Sequence, residues 1–130
     1  MALPELDQQF LLERKISYQL VEDSGMQCLV LPDWKLPTGF TVDQSDLLLR
    51  FAPGYPDIAP DMWWFDPLIA RSDGSVIEAT QVQEQHLGRM WQRWSRHFEP
   101  GQWNSGTDGL ENFLSLVRAE VTRSAAGVAA

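Results

Sequence analysis

The chain has 130 residues, 44% of them hydrophobic, which is enough for one compact domain with a real core and too short for two ordinary ones. Ten basic against eighteen acidic residues give a formal charge of -8, which argues against a general nucleic-acid binder, a class that needs a basic footprint to release counterions. Cys28 is the only cysteine, so an intramolecular disulfide framework and a cysteine-built zinc site are excluded, and a reducing compartment fits best.

The N-terminus lacks a basic segment followed by an apolar stretch, and nowhere are there eighteen consecutive apolar residues, so a soluble, cytoplasmic protein that spans no membrane is expected. From Pro4 to about Ile16, Leu6, Phe10 and Leu11 with Glu5, Asp7 and Glu13 between them predict a short amphipathic helix, acidic near its start. Tyr18 to Val21 and Met26 to Leu31 are β-rich runs around a tight reversal at Asp23 and Gly25, a hairpin. Pro32 to Gly39 breaks regular structure, and Phe40 to Val42 leads toward a third strand, Leu47 to Phe51. Pro53, Gly54, Pro56 and Pro60 forbid that ladder from continuing, which predicts a rigid corner before a fourth strand, Met62 to Phe65.

Between Pro67 and Ala79 one turn signal, Ser72 to Ser75, sits among short apolar pieces, a small hairpin or a lid. In Gln81 to Phe98, the residues Leu87, Met90, Trp91, Trp94 and Phe98 fit a helical stripe, and a helix or irregular helical turn is expected despite Gly88. Asp108 followed by Glu111 reads as a capping box for a helix from about Gly109 to Thr122, whose apolar face is Leu110, Phe113, Leu114, Val117 and Val121. The predicted organisation is a single α+β domain over residues 1–123 and a disordered tail at 124–130.

The Tyr55, Pro56 and Pro60 corner, followed by an apolar strand, resembles the Tyr-Pro-x-x-x-Pro corner of the ubiquitin-conjugating enzyme superfamily. The element order is similar to that fold: an N-terminal helix, a four-stranded antiparallel sheet, an active-site segment and a C-terminal helix. In most of the superfamily the nucleophilic cysteine lies eight residues before a tryptophan that precedes the next helix; here the tryptophan is Trp103 and the eighth residue back is Ser95. The family's His-Pro-Asn triplet has no literal counterpart, and Gln85, His86 and Leu87 occupy its place. The run from Gly88 to His97, with Trp103 and Asp108, is similar to a bacterial subgroup that lacks the catalytic cysteine, of the prokaryotic family E type.

That resemblance implies a carrier in a bacterial ubiquitin-like protein conjugation pathway, accepting the ubiquitin-like C-terminus from an activating enzyme as a Ser95 oxyester and transferring it to an acceptor protein. The carrier would use no cofactor, ATP being consumed by the activating enzyme, and a role in anti-phage defence or stress is suggested by the bacterial resemblance alone. Serine is a poor nucleophile at neutral pH, so a base is required, and His97 and His86 are the only histidines. Ser95 and His97 share a side if the backbone is extended and lie about 200° apart if it is helical. In a continuous helix the two histidines lie about 16 Å apart, too far to share a metal ion, so no metal site is expected.

Arg89, Arg93 and Arg96 form a candidate partner-binding patch, against the simpler reading of a solvated face. Tyr55, Pro56, Pro60, Trp103 and Asp108 are read as structural residues near the site. Cys28, in a predicted strand, is read as a buried inert thiol. The alternative function is a catalytically silent scaffold of the same fold that binds the activating enzyme or the ubiquitin-like protein; a serine hydrolase lacks the Gly-x-Ser-x-Gly elbow.

Overall fold

Residues 3–97 and 101–126 are described by the computed structural model, in which the elements run α1 (Glu5–Glu13), β1 (Gln19–Asp23), β2 (Met26–Lys35), β3 (Gln44–Phe51), β4 (Trp63–Asp66), β5 (Gln83–His86), β6 (Arg89–Trp94) and α2 (Leu110–Arg123). The strands form one antiparallel sheet in the order β1-β2-β3-β4-β6-β5. Alternation along the strands gives this sheet two apolar faces. On one, Leu29, Leu31, Leu47, Leu49, Phe51, Trp63, Phe65 and Trp94 pack with Leu11 of α1 and with Leu110, Phe113, Val117 and Val121 of α2. On the other, Cys28, Val30, Leu48, Trp64 and Trp91 form a second buried cluster, edged by Met62 and Leu87. Each of these large side chains, fully buried, contributes about 1.5–3 kcal/mol.

The expected α+β class holds, but the sheet has six strands rather than four. Residues 83–94 are a β-hairpin and not a helix, closed by Leu87 and Gly88 at φ 55° and 77°, a pair of left-handed residues matching a two-residue hairpin turn. The apolar spacing reads as helical because both faces of β6 are covered: Trp91 enters one cluster and Trp94 the other, so apolar residues fall at both parities. Phe98, the last residue of the expected stripe, lies outside the described residues.

Pro32 does not end its strand. Pairing shifts between Leu31 and Trp34, and at this bulge Asp33 takes φ 53° and donates its N–H to Asp46 Oδ1 at 2.9 Å, after which β2 resumes. Residues 67–82 form no hairpin; Phe40 and Arg71 make an isolated bridge. Gln92, buried on β6, holds this segment down by accepting from the Ile69 N–H and donating to the Ile69 carbonyl, both at 3.0 Å. Arg71 Nε donates to the Ser124 carbonyl at 2.7 Å, fixing the segment to the end of α2 as well.

Both helices depart in detail from expectation. Leu6, assigned to the apolar stripe of α1, is 75% exposed, whereas Asp7 is buried. The cap of α2 is Gly109 and not Asp108: Asn112 Oδ1 accepts from the Gly109 N–H at 2.9 Å, and Asp7 Oδ1 accepts from the Leu110 N–H at 3.0 Å. Asp108 Oδ2 accepts from Asn104 N–H instead, and Glu111 pairs with Arg14. At the proposed tail, Ser124 and Ala125 are buried and Ala126 N–H donates to the Gly39 carbonyl; residues 127–130 lie outside the described residues.

Candidate functional site

Ser95 follows directly on β6, whose pairing with β4 ends at Trp63 and Trp94. Its N–H donates to the Ala79 carbonyl at 3.1 Å, so the 79–82 segment flanks it where a further strand would lie. The Ser95 hydroxyl accepts a hydrogen bond from Arg93 Nε at 3.0 Å, the i to i+2 contact that an extended backbone allows and a helix forbids. Arg93 Nη1 donates to Glu84 Oε2 at 2.9 Å across the β5–β6 hairpin. Glu84 Oε1 accepts in turn from Trp64 Nε1 at 2.9 Å and lies 3.2 Å from His86 Nε2. His86 packs edge-on against Trp64, with ring centroids 5.4 Å apart.

Burial works against the charge on Glu84, but the hydrogen bonds from Trp64, His86 and Arg93 outweigh it and hold the carboxyl below its ordinary range. Three sequence candidates, His86, Arg93 and Ser95, are thus brought together, and Glu84, which the sequence reading missed, joins them. Its signal was present: in a strand, Glu84 and His86 alternate onto one face, and the helical reading of residues 81–98 hid that alternation.

His97 is placed elsewhere. Its Nδ1 lies 2.6 Å from Asp61 Oδ1, both side chains are more than half exposed, and no hydrogen bond joins His97 to Ser95. Asp61 and His97 line a cleft of about 310 Å³ together with Trp63, Arg96, Leu116 and Glu120. Asp61 precedes β4 and carries no sequence signal of its own; only the β4–β6 pairing brings it beside His97. Contact with the Asp61 carboxylate orients the His97 ring.

The three arginines do not form one free cationic patch. Arg89 donates to Asp66 Oδ2 at 2.7 Å and Asp46 Oδ2 at 2.9 Å, Arg93 to Glu84, and Arg96 to Glu120 Oε1 at 2.8 Å. Each guanidinium ties strands or helix together, as a planar multi-donor group does best. Tyr55, Pro56 and Trp103 form a second cluster: Trp103 Nε1 donates to the Pro56 carbonyl at 2.9 Å, Tyr55 stacks on Phe51 with centroids 4.2 Å apart, and Tyr55 OH donates to Asp7 Oδ2 at 2.5 Å. Pro60 is buried in the same corner, and the Tyr55-Pro56 peptide is cis.

Cys28 is fully buried in the sheet, as its reading as a buried strand residue expects. Among the described residues no group of three or more His, Cys, Asp or Glu side chains is placed to hold a metal ion, and no helix is long and apolar enough to cross a membrane. Chemically, the arrangement supplies a hydroxyl, a cationic donor on its oxygen, and an oriented imidazole two residues along the chain.

No curated protein and no solved structure matches this chain. A family model described as prokaryotic E2 family E matches residues 3–124, which takes in every strand and both helices. The chain belongs to prokaryotic E2 family E.

Proposed function

We propose that the protein is a carrier in a ubiquitin-like protein conjugation pathway, taking the C-terminal acyl group of a small ubiquitin-like protein from an activating enzyme onto Ser95 Oγ and passing it to an acceptor. The observation that carries this reading is the state of the two possible nucleophiles. Cys28 is fully buried in the sheet, and Ser95, which the resemblance to the superfamily puts eight residues before Trp103 as its nucleophile, has its oxygen bonded to a cationic donor. The carrier uses no cofactor of its own, and its partners are the activating enzyme, the ubiquitin-like protein and the acceptor.

One observation favours a scaffold instead: neither histidine is bonded to Ser95, His97 being engaged by Asp61 and His86 by Glu84. Intact-mass analysis after incubation with ATP, the activating enzyme and the ubiquitin-like protein separates the two. A carrier gives a covalent adduct that survives thiol reductant, yields to hydroxylamine and is absent in Ser95→Ala. A scaffold gives no adduct while still binding its partners, and an adduct lost in reductant refutes both the oxyester and the burial of Cys28.

A further inference from the structure

Among the described residues Ser95 Oγ has one side-chain partner, and it is a cation rather than a base. We propose that Arg93 is a catalytic residue of the carrier reaction, its Nε–H stabilising the negative charge that develops on Ser95 Oγ, and that Glu84 is the residue that positions it; this rests on the carrier reading above.

The geometry suits that task. A guanidinium presents its donors in a rigid plane, so fixing one edge fixes the direction of the others. Here Nη1 is fixed by Glu84 Oε2 at 2.9 Å, and Nε meets Ser95 Oγ at 3.0 Å. Glu84 is itself anchored by the indole N–H of Trp64, a side chain only 5% exposed, so the line of hydrogen bonds runs from the buried cluster outward to the serine. A strand-to-strand ion pair would need only the Glu84 contact; the bond to Ser95 uses a different edge of the same group.

In the discharge step an acceptor amine attacks the ester carbonyl, a C–N bond forms, and the C–Oγ bond breaks with its electron pair going to Oγ. The proton lost by the amine nitrogen ends on Oγ, regenerating the serine hydroxyl. Charge on Oγ is greatest as that bond breaks, and a charge-assisted donor already in place there acts on the transition state more than on the neutral ester.

The test uses the full chain, loaded by its activating enzyme and then mixed with hydroxylamine, with loss of adduct followed by intact mass. Arg93→Gln is expected to slow discharge about a hundredfold, the loss seen when one such donor is removed. Glu84→Gln, which keeps the cation but frees it, is expected to slow discharge about tenfold, and Arg93→Lys to recover part of the rate by restoring charge. Glu84→Gln disturbs the bonds from Trp64 and His86 as well as the ion pair, so a merely structural role predicts a loss of rate in Glu84→Gln at least as large as in Arg93→Gln, following the shift of melting temperature. That result, or wild-type discharge in Arg93→Gln, overturns the proposal.

A wild type that forms no adduct sinks the carrier reading, and labelling with an alkyl fluorophosphonate then decides for Arg93 alone. Selective modification of Ser95 that is lost in Arg93→Gln sustains Arg93 as the donor that stabilises charge on Ser95 Oγ, apart from any carrier reaction. Labelling that ignores Ser95, or is equal in both proteins, overturns it.

Discussion

Asp7 joins three parts of the chain that are far apart in sequence, and its removal should be felt well beyond its size. Its buried carboxylate accepts from the Leu110 N–H at 3.0 Å, capping α2, and from Tyr55 OH at 2.5 Å, tying α1 to the proline corner. A lost helix cap is worth about 1 kcal/mol, and orphaning a buried donor adds about 1–3 kcal/mol. Asp7→Ala should therefore lose about 3 kcal/mol. With an m-value of about 2 kcal/mol/M for a chain of this size, the urea midpoint falls by about 1.5 M. Asp7→Asn keeps one acceptor and should lose about half as much, and Tyr55→Phe about 1 kcal/mol, with coupling between Asp7 and Tyr55 visible in a double-mutant cycle.

The same pair has a pH signature. Burial first, then the hydrogen bond to Asp7 and its charge, raise the Tyr55 phenol far above its ordinary 10.0. The unfolded chain ionises this group first, so its contribution is complete below pH 10.0 and declines above it by up to about 1.4 kcal/mol per pH unit, a slope that Tyr55→Phe removes. An Asp7→Ala midpoint within about 0.3 M of wild type, equivalent to roughly 0.5 kcal/mol, would refute the capping argument.

The Glu84 cluster gives the opposite pH dependence. A carboxyl depressed in the folded state contributes fully above its ordinary 4.5 and loses that contribution as pH falls through the folded value. Glu84 is 31% exposed, so screening limits the effect to below about 1 kcal/mol. Urea titrations between about pH 3 and 6 should show a shallower acid decline in Glu84→Gln, and an identical decline would count against the hydrogen-bond assignment. At the hairpin turn, Gly88 has φ 77° with no atom within 4 Å of the place a Cβ would occupy, so Gly88→Ala should lose about 1 kcal/mol through backbone strain alone. Gly109→Ala meets the Asp7 carboxylate at 2.8 Å with no φ strain, and should behave like a weakened Asp7 cap; equal stability of Gly109→Ala and wild type would contradict the close approach.

Where one periodicity dominates, the sequence sufficed. The α2 stripe of Leu110, Phe113, Val117 and Val121 is buried as its spacing demands, and Asp23 to Gly25 does close a hairpin. Residues 81–98 failed because a strand buried on both faces carries apolar residues at both parities, and Trp91 and Trp94 then mimic a helical interval. That single error hid Glu84 and the arrangement of the candidates: with the hairpin in hand, Glu84, His86, Arg93 and Ser95 fall together, and in a helix they do not. Asp7 and Asp61 were illegible for a different reason. Their partners, Leu110 and His97, are 103 and 36 residues away, and no local pattern reports such a pairing.

Replacing sulfur by oxygen at a carrier position moves the difficulty from attack alone to departure as well. A thiol ionises near 8.5, and its thiolate leaves an acyl group readily, whereas an alkoxide is far more basic and needs stabilisation or a proton as it leaves. On the carrier reading stabilisation is at hand in Arg93 Nε, bonded to the leaving oxygen, and the His97 imidazole two residues on, held by Asp61 and not by Ser95, is left to handle the proton of the attacking amine. The two devices predict different losses. Removing Arg93 should slow discharge about a hundredfold, whereas His97→Gln should slow it less, because no hydrogen bond joins His97 to Ser95. A scaffold with the same contacts would form no adduct to discharge, and there Arg93 and Glu84 merely join β5 to β6 while Asp61 and His97 make an exposed contact worth under about 1 kcal/mol.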